Sequence, residues 1–264
     1  HKVFRRIETI QVPELGAFEV YGNRDSLAYR ETYGLHNLQT MFRGTIRRPG
    51  FCEAWDIFVQ LGATDDTYVM EDTENMTYRE FINSFMAYET EIPVDMKLAR
   101  YLGFEKDSRM MDRLSWLGIF DDTKIGVPGL TPAKILQKIL EEKWRLGAKD
   151  KDMIVMQHQL DYSSKGEHIK RYSTLVYIGE DMRHTAMSVT VGLPLAMVAR
   201  RILEGEYTEK GVQLPIDPGI YNPVLKELEH YGIRFMEEEI KIPQTNPGQT
   251  GQNRSRPDPP DQTP

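Results

Sequence analysis

The pattern of apolar and polar positions changes character along the chain. Residues 1–22 alternate loosely. Val3-Phe4, Ile7 and Ile10 are separated by polar residues, and Ala17-Phe18-Glu19-Val20-Tyr21 has the aromatic and β-branched content of a strand before Gly22-Asn23 breaks it. From about residue 50 to about residue 147 the spacing becomes helical. Phe51, Trp55, Phe58 and Val59 share a face, and Gly62 stops that helix. Thr77-Tyr78-Arg79-Glu80 has the form of a capping box, followed by Phe81 and Phe85 on one face. Pro93 opens another helix with Met96 and Leu102 inward and Gly103 as its stop. Ser108 caps the next, with Met111, Leu114 and Leu117 in register. Thr131-Pro132 is a cap followed by proline at the first helical position, with the stripe Ile135, Leu136, Ile139 and Leu140 behind it.

Extended signals return after Lys149. Met153–Met156 and Tyr172–Ile178 are β-rich, with turn residues Ser163-Ser164-Lys165-Gly166 between them, which predicts an antiparallel pair. Leu195, Val198, Ala199 and Ile202 form the expected inner side of a following helix. Asn222 and Pro223 read as the start of a last helix, with Val224, Leu225 and Leu228 inward and Gly232 as its stop. From Lys241 the chain holds one aliphatic residue and six of its 15 prolines, too little apolar surface to offset the entropy of ordering. The fold class expected is α+β. A mixed or antiparallel sheet domain spans 1–50 and 149–240, an all-helical subdomain is inserted at 51–148, and 241–264 is a disordered tail.

Hydrophobic residues at 40% and charged residues at 28% over 264 positions allow a real core, which excludes a collagen-like or largely disordered chain. The net charge of -7 makes non-specific nucleic-acid binding a poor fit, so no nucleic-acid partner is expected. Cys52 is the single cysteine, so no intrachain disulfide can form, and a reducing, cytoplasmic setting is expected. No run of 18 uninterrupted apolar residues occurs, so no membrane span is expected. The start HKVFRRIETI lacks an initiator Met and an apolar signal segment, which suggests a piece of a longer protein. There is no G-x-G-x-x-G after a strand and no G-x-x-x-x-G-K-[ST], so nothing here would cradle a pyrophosphate.

Against the acidic background, one window reverses sign. Arg24, Arg30, His36, Arg43, Arg47 and Arg48 fall within residues 23–48. Arg24 follows the strand break. Thr45 and Arg47 lie two apart, so an extended backbone puts them on one face. A guanidinium binds a carboxylate with two parallel hydrogen bonds, and a threonine hydroxyl can complete the shell. On spacing alone, the alternative is a solvated charged strand whose surface pairs are worth little.

The runs GNRDS and RGTIRRPGF, followed in order by KDMIVM, TAMSVTVGLPLAMVARRILEGE and GVQLPIDPGIYNPVLKELEHYGI, resemble the saccharopine dehydrogenase family. The resemblance covers about residues 9–236 and is nearest to the glutamate-forming, NAD(P)-dependent members. It departs at Arg48, where the family usually has tyrosine. It implies the C-terminal substrate-binding and dimerisation domain of a two-part enzyme. The Rossmann domain binding NAD or NADP would lie elsewhere, with the final helices packed on it, and this chain alone would bind no cofactor and be inactive. The implied reaction joins 2-aminoadipate 6-semialdehyde to glutamate as an imine and reduces it to saccharopine, in lysine metabolism. By motif position the substrate contacts fall on Arg24, Thr45, Ile46 (through its backbone) and Arg47. No catalytic residue is assigned, because those beside the nicotinamide belong mostly to the absent domain. A homodimer is implied. The rival readings are a superfamily relative acting on a polyamine-type imine, which would favour an acidic pocket, and a binding module without catalysis.

Other residues carry less. Cys52, beside Phe51 in a helix, reads as a buried, inert thiol. His158, His168 and His184 have no metal-ligand spacing. Asp65-Asp66, Glu141-Glu142 and Glu237–Glu239 read as solvated faces, and Met153, Met156 and Met182 as packing residues.

Overall fold

In the computed structural model, which describes residues 2–23 and 25–242, the alternating start of the chain is an antiparallel pair. β1 (Ile7–Val12) and β2 (Gly16–Gly22) run in register from Ile7↔Tyr21 to Val12↔Gly16. β3 (Gly44–Arg47) adds to the other edge of β2, giving the order β1-β2-β3. Only one helical turn, α1 (Tyr29–Thr32), separates β2 from β3. Gly44 is required by close approach, because a Cβ there would run into Val20 Cγ1 and the Phe42 ring.

Five helices follow: α2 (Phe51–Leu61), α3 (Tyr78–Asn83), α4 (Val94–Leu102), α5 (Arg109–Trp116) and α6 (Pro132–Trp144). Their starts lie where the caps predict. Thr77 and Glu80 form the reciprocal capping box, and Ser108 and Thr131 accept from Met111 N and Lys134 N. Phe58, Phe81, Ile82, Leu98, Leu114, Ile119, Ile135 and Ile139 are all 2% exposed or less and form one continuous core. One expected inward residue is not inward: Met96 is exposed, and α4 buries Lys97, Leu98 and Ala99 instead.

The remaining strands form a separate sheet, so the expected single sheet, mixed or antiparallel, is instead two antiparallel three-stranded sheets. β4 (Met153–Ser164) and β5 (Glu167–Ile178) are a long hairpin. Its two-residue turn, Lys165-Gly166, has φ of 51° and 80°, the left-handed pair that matches strand twist. The strands exceed the apolar cores read from sequence because polar residues from Gln157 to Ser164 keep pairing. β6 (Met236–Ile242) lies on the other edge of β5 and had no sequence signal, since three consecutive glutamates mask its alternation. Those glutamates are not merely solvated. Glu239 takes Arg171 Nη2 at 2.6 Å, and Glu237 accepts from Ser173 Oγ at 2.5 Å. Lys241 and Ile242 therefore close a strand rather than open the tail, and 243–264 lie outside the described residues.

α7 (Ala186–Leu203) and α8 (Pro218–Leu228) pack on this sheet, with Leu175, Met197, Val224, Leu228 and Ile233 at the centre. α8 starts at Pro218, so Asn222 and Pro223 are inside the helix rather than at its cap, and Leu225 is exposed. α7 also differs from expectation. Val198 joins the core, but Leu195 and Ile202 face outward with Met187 and Val191. A helix apolar all round has no phase to read, and the sheet selects its inner face. Over its 18 residues α7 reaches a mean hydropathy of 1.4, enough by length and composition to cross a membrane. A search for uninterrupted apolar runs misses it because Ser188, Thr190, Gly192 and Pro194 intervene. In the fold its inner face covers the sheet.

Two compact units result. Residues 2–152 with 179–185 and 214–217 form the first, and 153–178, 186–213 and 218–242 form the second. Residues 2–50 thus share a unit with the helices, unlike the division at 50 and 149 expected from sequence. The reason is that Phe4, Tyr21, Phe51 and Trp55 form one aromatic cluster, with centroids 4.8, 6.4 and 5.6 Å apart in that order, which ties β2 to α2.

Candidate functional site

The site is assembled on β3 and the start of α2. The register pairs Glu19 with Arg47, Val20 with Ile46 and Tyr21 with Thr45. Alternation therefore puts Thr45 and Arg47 on the face of Glu19 and Tyr21, and Ile46 on the face of Val20. Gly50, with φ of 88°, turns the chain from β3 into α2.

Glu19 is the link between strand and helix. Its two carboxylate oxygens accept from Gly50 N at 2.6 Å and Cys52 N at 3.0 Å, the free amides at the start of α2. No cap residue marks this helix in the sequence, because the capping carboxylate arrives from a strand 31 residues away. The same carboxylate bears on Cys52, which is fully buried. Burial first, then the hydrogen bond and negative charge of Glu19, push the thiol up to about 12, with Arg47 opposing. Cys52 is no nucleophile.

Three arginines of the basic window are held by aromatic rings. The Arg47 guanidinium stands 5.2 Å from the Phe51 centroid, Arg43 4.4 Å from Tyr29 and Arg48 4.5 Å from Phe18. Arg47 also donates to the Ile46 carbonyl at 3.0 Å, so the backbone of Ile46 is engaged by its neighbour. Among the described residues none of these three has a carboxylate within ion-pair distance. Arg30 donates to the His36 carbonyl, and His36 Nδ1 lies 3.3 Å from Glu31. Arg24 lies outside the described residues. Thr45 and Arg47 are thus brought together on one face, beside a half-buried aromatic floor, with hydrogen-bonding capacity left over. Such an arrangement can bind a planar anion through a charge-assisted fork.

Sequence reasoning missed Glu19 and the ring beneath Arg47. Phe51 was legible only as a helix-face residue, and no local signal joins it to Arg47. The other acidic runs are also more than solvated. Asp66 accepts from the Thr131 hydroxyl, and Glu142 takes the Tyr78 hydroxyl at 2.6 Å; burial first, then that hydrogen bond, raises the Tyr78 phenol. Met156 and Met182 are exposed, so they are not core residues. Among the described residues no three His, Cys, Asp or Glu side chains gather as a metal site.

Comparison with known proteins adds a frame. A model of the saccharopine dehydrogenase C-terminal domain matches residues 1–233. The mitochondrial alpha-aminoadipic semialdehyde synthase of Bos taurus is 33% identical over 231 residues, covering 85% of this chain and 25% of its own length. The NADP(+)-dependent, L-glutamate-forming saccharopine dehydrogenase of Schizosaccharomyces pombe is 30% identical over 233 residues, covering 85% of this chain and 52% of its own. The solved apo saccharopine dehydrogenase (L-Glu forming) of Saccharomyces cerevisiae superimposes with a TM-score of 0.79 at 27% identity, over 90% of this chain and 55% of that one. The chain spans about half the length of these fungal relatives and a quarter of the bovine one.

Proposed function

Because the chain belongs to the saccharopine dehydrogenase family, matched through its C-terminal domain, we propose that it supplies the substrate-binding and dimerisation part of a saccharopine-forming enzyme of lysine metabolism. That enzyme condenses 2-aminoadipate 6-semialdehyde with glutamate, releasing water, and reduces the imine with a hydride from NADPH. The observation that carries this reading is Arg47: a guanidinium seated on Phe51, beside Thr45, with no carboxylate within ion-pair distance among the described residues. Saccharopine has three carboxylates, and a free fork is what one of them needs. Arg24 and the backbone of Ile46 join the same proposed contact set. A polyamine-type imine would call for acidic residues here, and Glu19, paired across the strands with Arg47, is occupied by the start of α2.

The described residues do not suit the nicotinamide cofactor. Every strand pair is antiparallel, so no parallel βαβ unit is present to place a helix N-terminus at a pyrophosphate. We therefore assign the cofactor to another part of the full enzyme and derive no hydride step on this chain. The contribution of this chain is to bind and orient carboxylates. The exposed apolar face of α7, with Met187, Val191 and Leu195, supports packing against that other part. The cytoplasmic location belongs to the proposal too and rests on the single, buried cysteine, although the mammalian relatives are named mitochondrial.

The test uses the full enzyme carrying this domain. Arg24→Ala and Arg47→Ala each raise the saccharopine KM about 10- to 150-fold, the worth of a hydrogen bond to a charged group. Arg47→Lys recovers only part, since an ammonium keeps charge but loses the fork. Arg145→Ala, at the end of α6, is the control. KM values within twofold of the parent for both arginine variants would remove the carboxylate assignment.

A further inference from the structure

Lys97 is the one lysine or arginine that the described residues bury, with 8% of its surface exposed. It occupies the second turn of α4, where Leu98 and Ala99 enter the core and draw its stem in with them. Its Nζ donates to Asn83 Oδ1 at 2.8 Å, a neutral acceptor. Among the described residues no carboxylate lies within ion-pair distance of that Nζ. Of the acidic side chains nearby in sequence, Asp95 is engaged by Lys106 at 3.4 Å and Glu89 by Arg100 at 3.5 Å, while Glu91 forms no ion pair among the described residues. A buried ammonium without a counter-charge is costly to maintain, so its setting calls for an explanation.

Lys97 lines a cavity of about 710 Å³, within the usual range for small-molecule sites. The start of α4 lines it as well. Pro93 at the cap contributes no side-chain hydrogen bond, so the first-turn amides of this nine-residue helix are not capped. Lys97 and those amides make one part of the wall positive. Arg79, Glu89 and Asp95 line the cavity too, but each is in an ion pair, with Asp122, Arg100 and Lys106 respectively. Of the other acidic lining residues, Glu91 and Asp121, neither forms an ion pair among the described residues. A lone anion would meet those two carboxylates, and a lone cation would leave Lys97 uncompensated.

We propose that this cavity binds a small zwitterion with a carboxylate and an ammonium, the chemistry of a free α-amino acid. The carboxylate lies on Lys97 Nζ near the start of α4, and the ammonium on Glu91 and Asp121. The inference uses neither Thr45 nor Arg47 and stands apart from the enzyme reading.

Calorimetry on the full chain tests it with three probes: L-alanine as the zwitterion, acetate as the anion alone and methylamine as the cation alone. L-Alanine binds saturably in the millimolar range, and acetate and methylamine each bind about tenfold more weakly or worse. Lys97→Met, which keeps the buried stem, and Glu91→Gln, on the exposed rim, each weaken L-alanine about tenfold. Arg47→Ala leaves it unchanged, which separates this cavity from the β3 site. If Lys97→Met does not fold, Glu91→Gln and the probe series decide. The proposal is overturned by unchanged L-alanine binding in Glu91→Gln or in folded Lys97→Met, by acetate binding as tightly as L-alanine, or by no saturation up to about 50 mM.

Discussion

At the scale of single residues, Cys52 shows how an environment sets chemistry. The thiol lies under the first turn of α2 with the Glu19 carboxylate beside it, and both effects favour its protonated form. A thiol titrating at its ordinary value near 9.0 gains thiolate steadily between pH 7 and 9, whereas one at about 12 holds roughly 1000-fold less. Labelling of the folded chain with a disulfide reagent at pH 8 is therefore slow and becomes fast only in denaturant. Rapid labelling under native conditions would contradict the burial of Cys52. Arg47 is the opposite case: its residue type announced anion binding, but the ring that holds its guanidinium in place came from the fold.

At the scale of elements, helix starts were the most legible feature because a cap is a local device. Thr77 and Glu80 satisfy each other's backbone amides within four residues, and nothing distant is needed. Thr77→Ala removes one accepted hydrogen bond and costs about 1 kcal/mol, read as a lower denaturation midpoint at unchanged slope. No change in midpoint would mean that α3 is held by packing alone. The phase of α7 and the start of α8 were not legible. α7 is apolar on both sides, so the side that meets Leu175 is chosen by the sheet. α8 continues on the N-terminal side of Pro223, which the rule of proline at the first position cannot foresee. β6 was hidden because its charged residues have their partners on β5, in Arg171 and Ser173.

At the scale of the whole molecule, the second sheet carries α7 and α8 on one face. The register leaves Ile178, Met236 and Ile240 on the other, each more than two-fifths exposed. Apolar surface of this kind on a sheet suits an isologous contact between two copies. Light scattering at tens of micromolar is expected to report a dimer, and Ile240→Lys to shift it toward monomer. A monomer for the parent chain would remove dimerisation from the proposed role.

The amino-acid order by itself determined the α+β class, the capped helices of the first unit, the antiparallel pairing of β4 with β5 though not its length, and the family, because each depends on residues close in sequence or on runs in fixed order. Tertiary structure decided the rest. It alone placed residues 2–50 with the helices, brought Glu19 onto the start of α2, seated Arg47 on Phe51 and buried Lys97 against Asn83. Each of these joins groups on different elements, and local propensity and periodicity have no information about such distances.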